Sequence, residues 1–272
     1  MSEKKLLIMK LGGSLITHKN RWYPSINKEN LRRLAKEIKK GLDERKDLSL
    51  ILIHGAGSYG HVLAKLYKAM DENDYNKKLI GFAEIQKLQN VLNAKVCDFL
   101  LDEDIPAVPM QASFSAVLEN GKLKRMDIGA IKGMVDVGLI PVLYGVPAYD
   151  EKKKGNILSG DTILVYLAEN LSKFFEIEAV VHITDVDGVF DRNPREKDAK
   201  LIGKIDKDNI DAILNVISES NNIDVTGGMW KKVSDLTKLK NIKCIIANGN
   251  REGVVEKIIK GEKVVCTEII MS

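Results

Sequence analysis

Cysteine is scarce in this chain. Its 272 residues hold three, Cys97, Cys244 and Cys266, far apart and with no C-x-x-C pair. That excludes a disulfide framework and gives no zinc-ligand spacing; buried, reduced thiols in a cytoplasmic protein are expected instead. Long apolar runs are also missing. No stretch reaches the 18 residues of a membrane span, and the four apolar residues after Met1-Ser2-Glu3-Lys4-Lys5 are too few for a signal-peptide core. Charge of one sign nowhere dominates: Lys and Arg number 42 against 38 Asp and Glu, a formal net charge of +4. The charges are scattered as a solvated surface, so neither nucleic acid nor a membrane is called for as partner. No Pro- or Ser-rich linker, low-complexity tract or repeat divides the chain. With 44% hydrophobic residues it can bury a sizeable core, as one large α/β domain or two smaller ones.

Several nucleotide-binding signatures are absent too. There is no G-x-x-x-x-G-K-[ST], which excludes a P-loop NTPase. Gly55-Ala56-Gly57-Ser58-Tyr59-Gly60 matches G-x-G-x-x-G, but a dinucleotide fold needs a second strand ending in Asp or Glu about 20 residues on, and residues 71–80 read as polar loop. Extended to Val62 the motif also fits the protein-kinase glycine loop, yet no kinase catalytic loop or Asp-Phe-Gly follows.

What is present is alternation. Short apolar runs at 6–9, 48–53, 105–109, 139–144, 179–183, 243–247 and 264–270 read as strands. Helical periodicity appears at 28–46, 62–70, 81–101, 128–137, 161–172, 208–219, 229–240 and 252–260. Such β/α alternation predicts a mostly parallel sheet with helices on both faces, whose ligands sit beyond the carboxyl ends of the strands. Residues 110–125 predict a small hairpin turning at Asn120-Gly121, and 151–156 an exposed hairpin tip.

The glycine loops fall at those strand ends. Lys10-Leu11-Gly12-Gly13-Ser14 follows the first strand, and His54-Gly55-Ala56-Gly57-Ser58-Tyr59-Gly60-His61 follows the second and opens a helix. Converging backbone N–H groups and a helix dipole favour an anion there, and a terminal histidine adds a titratable donor. Two such loops with nearby lysines suggest two phosphate groups face to face, the layout of a phosphoryl-transfer enzyme. Ser159-Gly160-Asp161 opens another helix; it reads either as simple capping or as an aspartate facing the phosphates and orienting lysines. Thr184-Asp185-Val186-Asp187-Gly188 loosely matches a calcium loop, but its glycine falls too early and the twelfth-position Glu is absent; a plain turn is the alternative. Asp224-Val225-Thr226-Gly227-Gly228-Met229-Trp230-Lys231-Lys232 sets lysines in the first turns of a helix, where the dipole disfavours them, so a bound anion competes with a solvated pair. His18 and His182 read as bland, His182 as a hydrogen-bonded core residue. Trp22, Trp230, Met110, Met126, Met134 and Met229 read as packing.

In this order these loops, with Asn193-Pro194, resemble the amino-acid kinase superfamily over essentially the whole chain. Within it, the loop ending at His61, Lys19 nine residues after Lys10, and Gly81-Phe82-Ala83 leading to Val96-Cys97-Asp98 and Ile105-Pro106-Ala107-Val108 look like the archaeal-type isopentenyl phosphate kinases. Ala56 stands where a glycine is more usual, and Tyr59 where Phe is common. The resemblance implies an α/β fold, an open three-layer αβα sandwich with a mostly parallel central sheet. It implies one domain over 1–272, with a phosphoacceptor half at about 1–170 and a nucleotide half at about 171–272, assembling as a homodimer. The implied activity is transfer of the ATP γ-phosphate to isopentenyl phosphate in isoprenoid biosynthesis. Mg2+ would ride on ATP, with no protein metal site.

Carried over residue by residue, Lys10, Lys19, His61 and Asp161 are the catalytic set. Ala56, His61 and Gly160 meet the acceptor phosphate. Lys10, Gly12, Gly13, Ser14, Gly57, Asp185, Gly228 and Lys232 hold the nucleotide. An apolar tail pocket is expected among Phe82, Ile85, Leu88, Gln89 and Leu92, with Met110 and Ile157 opposite. The competing readings are a related kinase acting on a phosphonate such as fosfomycin or on a carboxylate, a non-catalytic anion sensor, and a nicotinamide oxidoreductase.

Overall fold

A computed structural model describes residues 4–18, 21, 23–60, 75–220 and 228–272. Its centre is an eight-stranded sheet of β1 (Lys5–Leu11), β2 (Leu48–His54), β3 (Ala107–Pro109), β6 (Ile140–Tyr144), β9 (Glu176–Thr184), β12 (Lys204–Ile205), β13 (Cys244–Asn248) and β14 (Cys266–Ile269), in the order β12-β14-β13-β9-β1-β2-β6-β3. Neighbouring pairs are parallel except β13 with β14. All seven predicted strands are in this sheet.

Period-2 alternation decides the layering. Leu6 and Ile8 of β1 and Ile51 and Ile53 of β2 enter one buried cluster, whereas Leu7, Met9, Leu11, Leu50 and Leu52 enter the other. A sheet apolar on both faces must be covered on both. The first cluster is closed by α4 (Gly129–Asp136), α5 (Gly160–Leu171), α6 (Ile210–Ser220) and α7 (Gly228–Leu236). The second is closed by α2 (Lys28–Glu44), α3 (Tyr75–Leu101) and α8 (Val254–Lys260). Each fully buried Leu or Ile there contributes about 1.5–3 kcal/mol. The expected three-layer αβα sandwich is what these clusters build.

Local chemistry fixes the helix ends and contacts. Asn27 caps α2, its side chain accepting from the Asn30 N–H at 3.2 Å. Leu31, Leu34, Ala35 and Ile38 form the inward stripe of α2, and Gly41 lets α8 approach, since a Cβ there would lie 2.7 Å from Ile259 Cβ.

α3 begins at Tyr75, earlier than expected, so 75–80 are helix and not polar loop. Within 76–80, Leu79 and Ile80 are exposed, and the inward position is Lys78, whose ammonium donates to the Lys153 carbonyl at 3.1 Å. The hairpin of β4 (Ala116–Glu119) and β5 (Lys122–Met126) turns as expected at Asn120-Gly121, both at positive φ, 51° and 81°. The lysine run is the exposed tip between β7 (Val146–Ala148) and β8 (Asn156–Leu158). Two short strands, β10 (Val189–Phe190) and β11 (Leu201–Ile202), pair apart from the main sheet. The helical pattern at 62–70 and Trp22 lie outside the described residues.

Candidate active site

The sheet's ladder runs past its strand ends into the glycine loops. Gly12 N–H donates to Ile183 O at 2.8 Å, Gly55 N–H to Leu11 O at 3.0 Å, Gly145 N–H to His54 O at 3.3 Å and Gly249 N–H to Thr184 O at 2.8 Å. Five loops therefore converge at one edge, centred on β1, where chain order reverses between β2 and β9.

The first two loops touch backbone to backbone. A Cβ on Gly55 would sit 2.6 Å from Gly13 N. Gly57 has φ +49°, and a Cβ there would meet Thr17 Oγ1 at 2.1 Å. Thr17 stitches the loops: its hydroxyl donates to Gly13 O at 2.8 Å and accepts from Ser58 N–H at 3.0 Å. Of the residues assigned to these loops, Gly12, Gly13, Ser14, Ala56 and Gly57 thus lie together. α1 (Gly13–Ile16), a single short turn not anticipated from periodicity, carries Ser14.

Lys10 follows from the same alternation. It shares a face with Leu6 and Ile8, so it points towards α5, and parallel register sets it beside His182 of β9. Gly160, at the start of α5, lets the helix close on the lysine stem: its Cβ would lie 3.0 Å from Lys10 Cε. Lys10 Nζ donates to Asp161 Oδ1 at 2.7 Å, and His182 Nε2 lies 2.6 Å from the same oxygen and 3.2 Å from Lys10 Nζ. Ser159 caps α5, accepting from Thr162 N–H at 3.1 Å, while Asp161 of the same turn accepts from Lys10, so capping and the lysine contact occur together.

Burial by itself would raise the Asp161 carboxyl. The Lys10 charge, the His182 hydrogen bond and charge, and the Lys232 charge outweigh it and hold the carboxyl well below the usual range. His182 moves to about 4, first because it is buried and then because Lys10 faces it. It is a neutral imidazole. Nε2 carries the hydrogen, because a bare nitrogen lone pair 2.6 Å from a carboxylate oxygen would be repelled. Nδ1 is then a buried acceptor with no partner. The expected bland core histidine is buried as predicted, yet its partner is Asp161, the carboxylate that also holds Lys10. Only the β1–β9 register shows this.

A second buried histidine, His54, lies at the foot of the second glycine loop. His54 stacks on Tyr144 with centroids 5.3 Å apart, and its Nε2 is 3.2 Å from Asn93 Oδ1. Burial lowers it to about 4. Asn93 Nδ2 donates to Val142 O at 3.1 Å, and Gln89 Nε2 to Ala56 O at 3.3 Å, so α3 props the second glycine loop with two carboxamides: Gln89, expected in the tail pocket, is fully buried, and Asn93 is a residue the sequence did not mark. Leu92, expected in the tail pocket, is fully buried in the core and cannot line one.

On the other side, Asp185 accepts from Thr184 Oγ1 at 3.2 Å. Asp187 accepts from Asn248 Nδ2 at 2.9 Å and Arg251 Nε at 2.6 Å, tying the loop after β9 to the loop after β13. Of the lysine pair in α7, Lys231 is exposed and paired with Asp235, the solvated reading. Lys232 donates to Gly228 O at 3.2 Å and its charge reaches Asp161. Trp230, expected to pack, is 40% exposed beside them, on the outer side of the first turn. Lys19, His61 and 224–227 lie outside the described residues.

The sequence profile of the amino acid kinase family matches residues 5–248. The chain belongs to this family. It is 41% identical over 266 residues to the isopentenyl phosphate kinase of Methanocaldococcus jannaschii, covering 94% of this chain and 96% of that one. It is 37% identical over 277 residues to that of Methanothermobacter thermautotrophicus, covering 97% and 98%. A solved isopentenyl phosphate kinase superposes with a TM-score of 0.79 at 33% identity over 97% of this chain and 99% of that one. For this amino acid kinase, the edge where the glycine loops meet Lys10 and Asp161 is the candidate active site.

Proposed function

We propose that the chain transfers the γ-phosphate of ATP to isopentenyl phosphate, giving isopentenyl diphosphate and ADP in isoprenoid biosynthesis. Its relatives of that name, aligned over nearly the full length, support the substrate. The structural observation that carries the reading is the buried Lys10 ammonium, held 2.7 Å from a partly buried Asp161 where two glycine loops meet.

The chemistry follows from charge. An oxygen of the acceptor phosphate attacks Pγ, the bond from Pγ to the β-bridging oxygen breaks, and ADP leaves. Both reactants are anions, so positioning and electrostatics carry the catalysis. The acceptor phosphate is already a nucleophile and needs no general base. Lys10 spends one N–H on Asp161 and keeps two for phosphate oxygens. Gly12, Gly13, Ser14 and Gly57 offer backbone N–H groups to the nucleotide, with Asp185, Gly228 and Lys232 on its far side. Ala56, Gly160 and His61 take the acceptor phosphate, His61 donating a hydrogen bond. Lys19 stabilises charge on the transferring group. Mg2+ enters with ATP as substrate: Asp161, the carboxylate nearest Lys10, is committed to Lys10 and His182. Residues from about 171 form the nucleotide half of the single domain and those before it the acceptor half. A cytoplasmic homodimer completes the reading. No helix among the described residues is long and apolar enough to cross a membrane, and light scattering on the purified chain tests the dimer.

A coupled ADP-release assay with Mg-ATP and isopentenyl phosphate, dimethylallyl phosphate, fosfomycin, N-acetylglutamate, carbamate and UMP tests the whole. Turnover on isopentenyl phosphate should exceed the rest. Turnover confined to fosfomycin or a carboxylate would overturn the acceptor while keeping the phosphotransferase.

A further inference from the structure

We propose that His182 is a positioning residue for phosphoryl transfer: its Nε2–H clamps Asp161 Oδ1, and through it aims the Lys10 ammonium into the cleft. The proposal rests on the kinase reading above and adds a residue to it.

Three groups from three elements converge on one oxygen. Lys10 comes from β1, His182 from β9 and Asp161 from the first turn of α5, with separations of 2.7, 2.6 and 3.2 Å. Lys10 and His182 are 6% and 1% exposed. With the ring neutral and Nε2 protonated, both neighbours donate to Oδ1, and the lysine has two N–H groups left over. Without the ring, the carboxylate would keep only the lysine and could rotate with it. A displacement of about 1 Å at a reacting centre can cost about 100-fold in rate.

A purely structural histidine would be built differently. Nδ1 is buried with no hydrogen-bond partner, and leaving a buried polar atom unpaired costs stability. An apolar residue would suit this strand, flanked by Val181 and Ile183. What the ring supplies in exchange is one N–H, pointed at Asp161. A cost in stability held at a reacting centre is the pattern of a functional group.

Glutamine and asparagine separate these roles. Counted in bonds from Cβ, Gln Nε2 stands where His Nε2 does, whereas Asn Nδ2 stands where Nδ1 does. His182→Leu should lose about 100-fold in kcat, with KM for ATP and for isopentenyl phosphate each within about three-fold and a melting temperature equal to or above the parent's. His182→Gln should return to within about ten-fold of the parent, and His182→Asn should behave as His182→Leu. Leu retaining the parent kcat, or Gln and Asn proving equal, would overturn the proposal. Nitrogen-15 NMR of the unsubstituted protein tests it without any variant. His182 should be the neutral Nε2–H tautomer at pH 7; an Nδ1–H tautomer or an imidazolium would overturn it. That measurement needs no substrate, whereas failure of the kinase reading would show as a parent protein without turnover on isopentenyl phosphate.

Discussion

A Cβ built on Gly13 would lie 2.4 Å from the backbone nitrogen of Gly57 and 2.8 Å from its Cα. The neighbour is main chain and cannot rotate away, so the contact fixes how close the two glycine loops come. Gly13→Ala must push them apart. Overpacking of this kind costs about 1–3 kcal/mol, and the loop shift should cost about 100-fold in kcat/KM. Gly133→Ala is the control: it lies within α4 with nothing inside 4 Å of the added carbon, and should be neutral or stabilising by up to about 1 kcal/mol. Urea midpoints and steady-state kinetics on both variants decide it; a Gly13→Ala enzyme as fast as Gly133→Ala would refute the close-loop account.

The Lys10–Asp161 pair should behave asymmetrically. Its side chains are 7% and 19% exposed. Asp161→Asn leaves a buried ammonium without a counter-charge, a loss of about 3–5 kcal/mol. Lys10→Met leaves a carboxylate that still accepts from His182 and has Lys232 nearby, so its stability loss should be smaller. Both should lose about 100- to 1,000-fold in kcat, as for an oxyanion donor. The double variant Lys10→Met/Asp161→Asn should regain stability over Asp161→Asn but no activity. A double-mutant cycle in stability with zero coupling would show that the pair does not act as a unit.

The sequence made some of this legible and hid the rest for identifiable reasons. Strands such as 48–53 and 179–183 announce themselves because both faces are buried and the run is apolar throughout. Tyr75–Ile80 did not, because Lys78 occupies the inward position where an apolar residue would have marked the helix. β12 is two residues long and has no pattern to read. Lys10 and Asp161, 151 residues apart, were found through the order of their loops. His182 was not: its position in an apolar strand forecasts burial, but its partner depends on which strand pairs with β1 and in what register. The Gln89 and Asn93 props were hidden likewise, since carboxamides on a helix declare no partner until it docks.

Lys19 and His61 should separate by kinetic parameter. Lys19 is proposed to act on charge that develops only in the transition state. Lys19→Ala should therefore lose about 2–4 kcal/mol in kcat with KM little changed. His61 is proposed to hold the acceptor phosphate from the start, so His61→Ala should raise KM for isopentenyl phosphate more than it raises KM for ATP. Saturation curves for each substrate make the comparison. A full-rate Lys19→Ala enzyme, or a His61→Ala enzyme with unaltered acceptor affinity and turnover, would remove that residue from the mechanism.

Stability should fall as pH drops from about 6.5 towards 4. His54 and His182 are each displaced from 6.5 to about 4, principally by burial. Across that window the unfolded chain binds protons at both positions and the folded chain does not. Stability therefore rises with pH there, by about 3 kcal/mol for each histidine over the whole range. Asp161 works in the other window. Its folded carboxyl lies well below 3.8, so its contribution is intact above about 4 and fades only as pH falls further. Loss between pH 6.5 and about 5.5 thus reports the two rings; nearer 4 the paired carboxyls of Glu151 and Glu256, lowered from 4.5 by their lysines, add to it. Denaturant midpoints at pH 7.5, 6, 5 and 4.5 should trace the decline, and His182→Gln should flatten it by about half. A midpoint constant down to pH 4.5 would mean that the buried rings are charged in the folded protein, and the neutral His182 on which Asp161 and Lys10 depend would have to be abandoned.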